Sequence, residues 1–160
     1  MKKGTEEKTN VQRLLDQKKI EYVYHSYADT PSTNGVEIAR LLGEDEAKVF
    51  KTLVTVGKTG EHYVFMVPVA EELDLKKAAK ASGNKSIEMI HVKEILDITG
   101  YIRGGCSPIG MKKAYPTFID ETAILSEKIY FSAGKRGVQI ILDPEVLAEV
   151  SNAEFVDLTK

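Results

Sequence analysis

Four glycines and a proline fall within eleven residues, Gly100-Tyr101-Ile102-Arg103-Gly104-Gly105-Cys106-Ser107-Pro108-Ile109-Gly110. Glycine lets a backbone approach a ligand closely and aim successive N–H groups at one oxygen. An anion or a developing oxyanion can be held that way without a charged side chain. Pro108 disfavours helix at Ser107 and stiffens the segment. Taken alone, the same punctuation describes a tight connection between strands.

Lys51 interrupts an apolar stretch and shares a strand face with Val49, Leu53 and Thr55 by the two-residue period. It suits either a phosphate or carbonyl oxygen, or the charged edge of a sheet. Thr52, on the opposite face with Phe50 and Val54, offers a hydroxyl to a substrate or simply favours a strand. The run Ser132-Ala133-Gly134-Lys135-Arg136-Gly137 combines a hydroxyl, glycines and two cations, which suits phosphate contact and equally an ordinary charged turn. Its order does not match a P-loop, so nucleoside triphosphate chemistry is disfavoured.

Cys106 is the one cysteine. As a nucleophile it would need a base to form thiolate; as a small packed residue it needs nothing. His25, His62 and His91 lie far apart without metal-ligand spacing, so no metal site and no cofactor are expected. Lysines 76, 77, 80, 85, 112 and 113 form either a stripe for an RNA backbone or a solvated face. Tyr22 and Tyr24 share one strand face and Tyr27 takes the other, where an aromatic ring beside a polar loop can stack on an unpaired base.

These residues need elements to position them. Thr9 and Gln12 form a capping-box pattern before Val11, Leu14 and Leu15, predicting a helix to about Lys18. A strand follows over 22–27, then a polar loop. Asn34 caps a second helix through Leu42, with Glu37 in its first turn. Strands over 49–56 and 62–69 make a hairpin. Asp74 and Gly83 bracket a third helix, and a shorter one covers 91–98. Short strands are predicted over 117–120, 129–132, 138–142 and 155–158. Asp143-Pro144 opens a helix before the last of these. The rhythm is α+β, a mixed and largely antiparallel sheet with peripheral helices.

The 160 residues suffice for one folded unit: a solvated tail over 1–8 and a single domain over 9–160. Apolar residues make up 42% and charged residues 29%, ordinary globular usage. The N-terminal residues lack the apolar stretch of a signal peptide, and the apolar run 64–70 is too short to span a bilayer. With a single cysteine these features predict a soluble, cytoplasmic protein with no membrane partner. A net charge of −2 gives no general attraction for nucleic acid, and no DNA partner is expected.

Several motifs in register resemble the YbaK/EbsC family. They are Val49-Phe50-Lys51-Thr52-Leu53, Asp74-Leu75-Lys76-Lys77-Ala78-Ala79, and the GYIRGGCSPIG segment with Lys112-Lys113. Further on come Pro116-Thr117, Ile119-Asp120 and Ile129 to Gly137. Order and spacing match from the first helix to the last strand. The resemblance implies a curved sheet closing toward a barrel with helices around it, related to the editing domain of prolyl-tRNA synthetases. It also implies a trans-acting deacylase for Cys-tRNA(Pro) and Cys-tRNA(Cys). The aminoacyl-tRNA 3′ end is then the substrate partner, and prolyl-tRNA synthetase a further one.

By position, the resemblance makes Lys51, Gly104 and Gly105 the catalytic set, Lys51 matching an essential lysine and the two glycines the loop that faces the scissile ester. The expected roles are Lys51 on the terminal ribose or phosphate and both glycine N–H groups on the oxyanion. Tyr27, Thr52, Ser107, Ser132, Gly134, Lys135 and Arg136 are the expected substrate contacts. Three departures stand out: a short loop near Asn34, Gln139 where some members carry an acidic residue, and Cys106 where an aliphatic residue is common. The third argues against a cysteine nucleophile. In the family the substrate's own thiol attacks the ester and leaves as a cyclic thiolactone, so the protein need only restrain the substrate and stabilise the oxyanion. Two alternatives remain: water-mediated removal of another small amino acid such as alanine, and a non-catalytic module that grips tRNA ends or the synthetase.

Overall fold

The computed structural model describes residues 8–27 and 35–160. The expected cap Asn34 and most of the expected tail lie outside them. Helix α1 (Asn10–Gln17) starts on the predicted capping box: the Gln12 N–H donates to Thr9 Oγ1 at 3.1 Å, and the Thr9 N–H donates to Gln12 Oε1 at 2.8 Å. Its apolar side, Val11 and Leu15, is fully buried. Strand β1 (Val23–Ser26) and helix α2 (Gly35–Leu41) follow.

Strands β2 (Phe50–Gly57) and β3 (His62–Pro68) form the first expected hairpin. Helix α3 (Leu75–Ser82) is capped by Asp74, whose carboxylate accepts from the Lys76 and Lys77 N–H groups. It stops at Gly83, which adopts φ 74°. Strand β4 (Ile87–Met89) was not expected. The predicted 91–98 helix is instead a 3-10 turn (Val92–Glu94) running into the short α4 (Ile95–Thr99). Strands β5 (Thr117–Asp120), β6 (Ile129–Ser132) and β7 (Val138–Leu142) match their predicted bounds. Helix α5 (Pro144–Ser151) starts where expected, with Asp143 as cap and Pro144 in its first turn.

The last strand, β8, spans Ala153–Val156 rather than 155–158. Parallel pairing with β5 fixes it there, Thr117 opposite Ala153 and Asp120 opposite Val156. Leu158, beyond its end, is buried, and its N–H donates to Asp120 Oδ1 at 2.9 Å.

The strands form two sheets, β1-β7-β6 and β4-β2-β3-β5-β8. Four pairings are antiparallel, while β3–β5 and β5–β8 are parallel. Among the described residues no closed barrel is found. The sheets meet at a single parallel bridge between Val49 and Tyr130, after which the outer edge of β2 pairs with β4 instead. Two apolar clusters lie on either face of the β2–β3 hairpin. One gathers Phe50 and Met66 with α1, α5, β6 and β7; the other gathers Tyr63, Phe65 and Val67 with α3, Phe118 and Leu158.

Candidate active site

The site begins with a gap in β2. The Val69 N–H donates to Val49 O and the Gly57 N–H to Glu61 O, each at 2.8 Å, so odd-numbered β2 residues turn their backbone groups toward β3. Even-numbered residues therefore turn theirs outward. Val54 does so, its carbonyl accepting from the Ile90 N–H at 3.3 Å. In the same register Thr52 would meet Val92, but there the chain has entered its 3-10 turn. Thr52 is also beyond the Val49–Tyr130 bridge. Thr52 thus lies where neither neighbouring strand continues its ladder with β2, beside open space.

That space is a cavity of about 450 Å³ along the β2 edge. Phe50, Val54, Met89, Ile90, Val92, Ile95 and Phe131 give it an apolar lining. Lys51, Thr52, Gly104, Ser132 and Tyr27, all expected at the site, line it together with Arg103, Cys106 and Gln139. Residues more than 80 positions apart in sequence thus share one wall.

Lys51 and Thr52 leave β2 on opposite faces, Lys51 opposite Val67 and Thr52 opposite Met66. Both reach the cavity because it opens along the strand edge. The half-buried Lys51 ammonium donates to Val69 O at 3.4 Å. Burial pulls its pKa below the ordinary lysine value, an effect opposed by the Glu72 and Glu71 charges. The Thr52 hydroxyl is buried without a hydrogen-bond partner among the described residues. Ser132 accepts the Gly134 N–H at 3.1 Å, which leaves its own O–H to donate. Tyr27 is anchored by its N–H on Gly137 O at 2.6 Å, and burial raises its phenol pKa.

The glycine segment divides its work. Gly104, at φ 85°, lines the cavity, and its N–H has no acceptor among the described residues. The Gly105 N–H is already donated to Ile102 O at 2.9 Å, so it is not available to an oxyanion. Instead Gly105 packs against the turn between β6 and β7: a Cβ there would lie 3.1 Å from the Arg136 nitrogen. Ser107 is fully buried and accepts from the Ile109 N–H.

Gly134, Lys135 and Arg136 form the neighbouring turn, outside the cavity lining. Arg136 Nε donates to Arg103 O at 2.7 Å, tying that turn to the glycine segment. Two expected groups of contacts thus build the cavity's support rather than its surface.

No thiolate is prepared here. Burial pushes the Cys106 thiol up to about 11, opposed by a Thr99 hydrogen bond. No histidine lines the cavity. The Ile90 and Val92 lining gave no sequence signal of its own, since it depends on where β4 ends. The described residues hold no cluster of three or more metal-ligating side chains. None of their helices is long and apolar enough to cross a membrane.

Residues 30–150 match the aminoacyl-tRNA editing domain family. Over 159 residues the chain is 48% identical to EbsC of Enterococcus faecalis, provisionally named a Cys-tRNA(Pro)/Cys-tRNA(Cys) deacylase. That match covers 99% of this chain and 97% of EbsC. A proline–tRNA ligase of Thermosipho africanus is 33% identical over 98 residues, 61% of this chain and 16% of the ligase. Among solved structures, one provisionally titled a trans-editing enzyme for prolyl tRNA synthetase superposes with a TM-score of 0.82 at 26% identity, covering 94% of each chain. With the motifs around Lys51, Gly104 and Ser132 in register, the chain belongs to the aminoacyl-tRNA editing domain family.

Proposed function

We propose that the protein is a trans-acting aminoacyl-tRNA deacylase that removes cysteine from mischarged tRNA(Pro), and from tRNA(Cys), by using the substrate's own thiol. The observation that carries this reading is a cavity furnished with donors but lacking an activated nucleophile. Its one thiol, Cys106, is held protonated by burial. The Thr52 and Ser132 hydroxyls have no histidine beside them among the lining residues. A substrate that brings its own nucleophile needs only to be positioned, and positioning alone supplies on the order of 7–11 kcal/mol in favourable cases.

In this mechanism the cysteinyl sulfur attacks the ester carbonyl, forming a C–S bond as the C–O bond to the ribose breaks. The thiol proton passes to the departing ribose oxygen, giving a cyclic thiolactone and free tRNA. In this reading the Gly104 and Thr52 N–H groups receive the negative charge that develops on the carbonyl oxygen. Lys51 holds the terminal ribose or phosphate, and Tyr27 and Ser132 bound the aminoacyl end. Prolyl-tRNA synthetase is the source of the mischarged substrate, a reading supported by the likeness to a proline–tRNA ligase.

The test offers purified protein Cys-tRNA(Pro), Ala-tRNA(Pro) and Pro-tRNA(Pro), with Lys51→Ala as control. Ester loss is expected for the cysteinyl form and at the enzyme-free rate for the other two. Comparable cleavage of the alanyl form would overturn the thiol mechanism in favour of water attack. No acceleration with any of the three would overturn the enzymatic reading.

A further inference from the structure

Gln139 and Glu44, 95 residues apart, meet behind the cavity wall. Gln139 sits on β7 opposite Ser132 and His25, lines the cavity, and is only 4% exposed. Its Nε2 donates to Glu44 Oε1 at 3.2 Å, and Glu44 Oε2 lies 3.1 Å from His25 Nδ1. The Glu44 side chain is 3% exposed. At the other end of the amide, Gln139 Oε1 is buried with no hydrogen-bond partner among the described residues. An acceptor left unpaired inside a protein is destabilising, so a site that keeps one points to a donor arriving from outside the chain.

Glu44 decides which end of the amide faces the cavity. A carboxylate offers only lone pairs, so the amide NH₂ must meet it, and the carbonyl must then face the other way. The negative charge behind the amide also polarises it, making the carbonyl oxygen a stronger acceptor.

We infer that Glu44 is a positioning residue that holds the Gln139 carbonyl toward the cavity, where it accepts a hydrogen bond from the free α-ammonium of the bound aminoacyl ester. This rests on the deacylase reading above. Among the other polar groups of the wall, Lys51 Nζ and the Gly104 N–H are donors suited to carbonyl and phosphate oxygens. Gln139 Oε1 supplies the complementary acceptor, and the ammonium is the strongest donor an aminoacyl ester carries. The consequence is a specificity: esters with a free amine are accepted, and N-acylated ones, which lack the charge and add bulk at that wall, are rejected.

The test separates binding from chemistry. The probes are adenosine carrying cysteine through a non-hydrolysable 3′-amide, and the same compound N-acetylated, each titrated against the full chain. The free-amine probe is expected to bind about tenfold or more tightly than the acetylated one. Glu44→Gln lets the amide turn over and should bring that ratio close to one. The double variant Glu44→Gln, Gln139→Glu should restore it, because a carboxylate accepts in either orientation.

Should Glu44→Gln fail to fold, Gln139→Leu reads the same ratio. Equal affinities in the unaltered protein, a ratio that survives Glu44→Gln or Gln139→Leu, or a double variant that restores nothing would each overturn the inference. A purely structural role for Glu44 would weaken both probes alike and leave the ratio intact. Deacylation of Cys-tRNA(Pro), measured separately, decides the deacylase reading without deciding this one.

Discussion

Gly105 lies against the backbone of Lys135: a Cβ added to Gly105 would come within 3.2 Å of Lys135 Cα and 3.1 Å of the adjoining Arg136 nitrogen. The neighbouring atoms are main chain and cannot swing aside. Gly105→Val should therefore displace the turn between β6 and β7, costing about 1–3 kcal/mol of stability along with most deacylation. Urea unfolding beside the rate measurement checks this. Lost activity at unchanged stability would instead make Gly105 a group that faces the reacting ester.

Thr52 presents the opposite signature. Its hydroxyl is buried without a partner among the described residues, so removing it with Thr52→Val should leave stability unchanged or raise it by up to about 1 kcal/mol. Deacylation should fall at least tenfold, and Thr52→Ser should retain most of it. Paired unfolding and rate measurements on the two variants test the assignment, and a Thr52→Val protein with full activity contradicts it.

Lys51 gives a prediction in pH. Its pKa is depressed by burial, so between that lowered value and the ordinary 10.5 the unfolded chain holds more protons than the folded one. Stability contributed at this site therefore rises with pH across that window and is lowest beneath it. Lys51→Met should raise the melting temperature at pH 7 while deacylation falls. The stabilisation should shrink as the pH approaches 10.5. Melting curves from pH 7 to 10 read the trend, and a gain that grows with pH would show the charge to be stabilising.

Cys106 separates the two sources of sulfur. With its thiol pushed up to about 11, it should react slowly with iodoacetamide in the folded protein at pH 8. Cys106→Ala should keep deacylation within about threefold, since a packed residue contributes bulk rather than reactivity. Complete loss of activity in a folded Cys106→Ala protein would assign the nucleophile to the enzyme.

Much of this arrangement was legible in the residues. Asp74 and Gly83, Asp143 and Pro144, and the Thr9–Gln12 box marked helix ends through local hydrogen bonds, and the β2–β3 hairpin followed from two strand-like runs around a short turn. Strand β4 left no such mark: three residues, Ile87-Glu88-Met89, are too few to show a period. β8 was displaced by two residues because its place depends on parallel pairing with β5, 36 positions upstream at Thr117↔Ala153. Lys51, Thr52, Gly104, Ser132 and Tyr27 line one cavity. Glu44 did not stand out, because a glutamate between α2 and β2 acquires meaning only when Gln139 is folded against it.

The bridge between Val49 and Tyr130 also bears on the order in which the molecule assembles. Each hairpin beside it closes over a few residues and can form on the microsecond scale, whereas the bridge joins positions 81 apart and must await a long search. Because the cavity lies across that junction, catalytic competence should be among the last properties acquired during refolding. Compact chains with both hairpins intact would precede active ones, and recovery of deacylation in a stopped-flow refolding experiment should lag behind recovery of the far-ultraviolet signal.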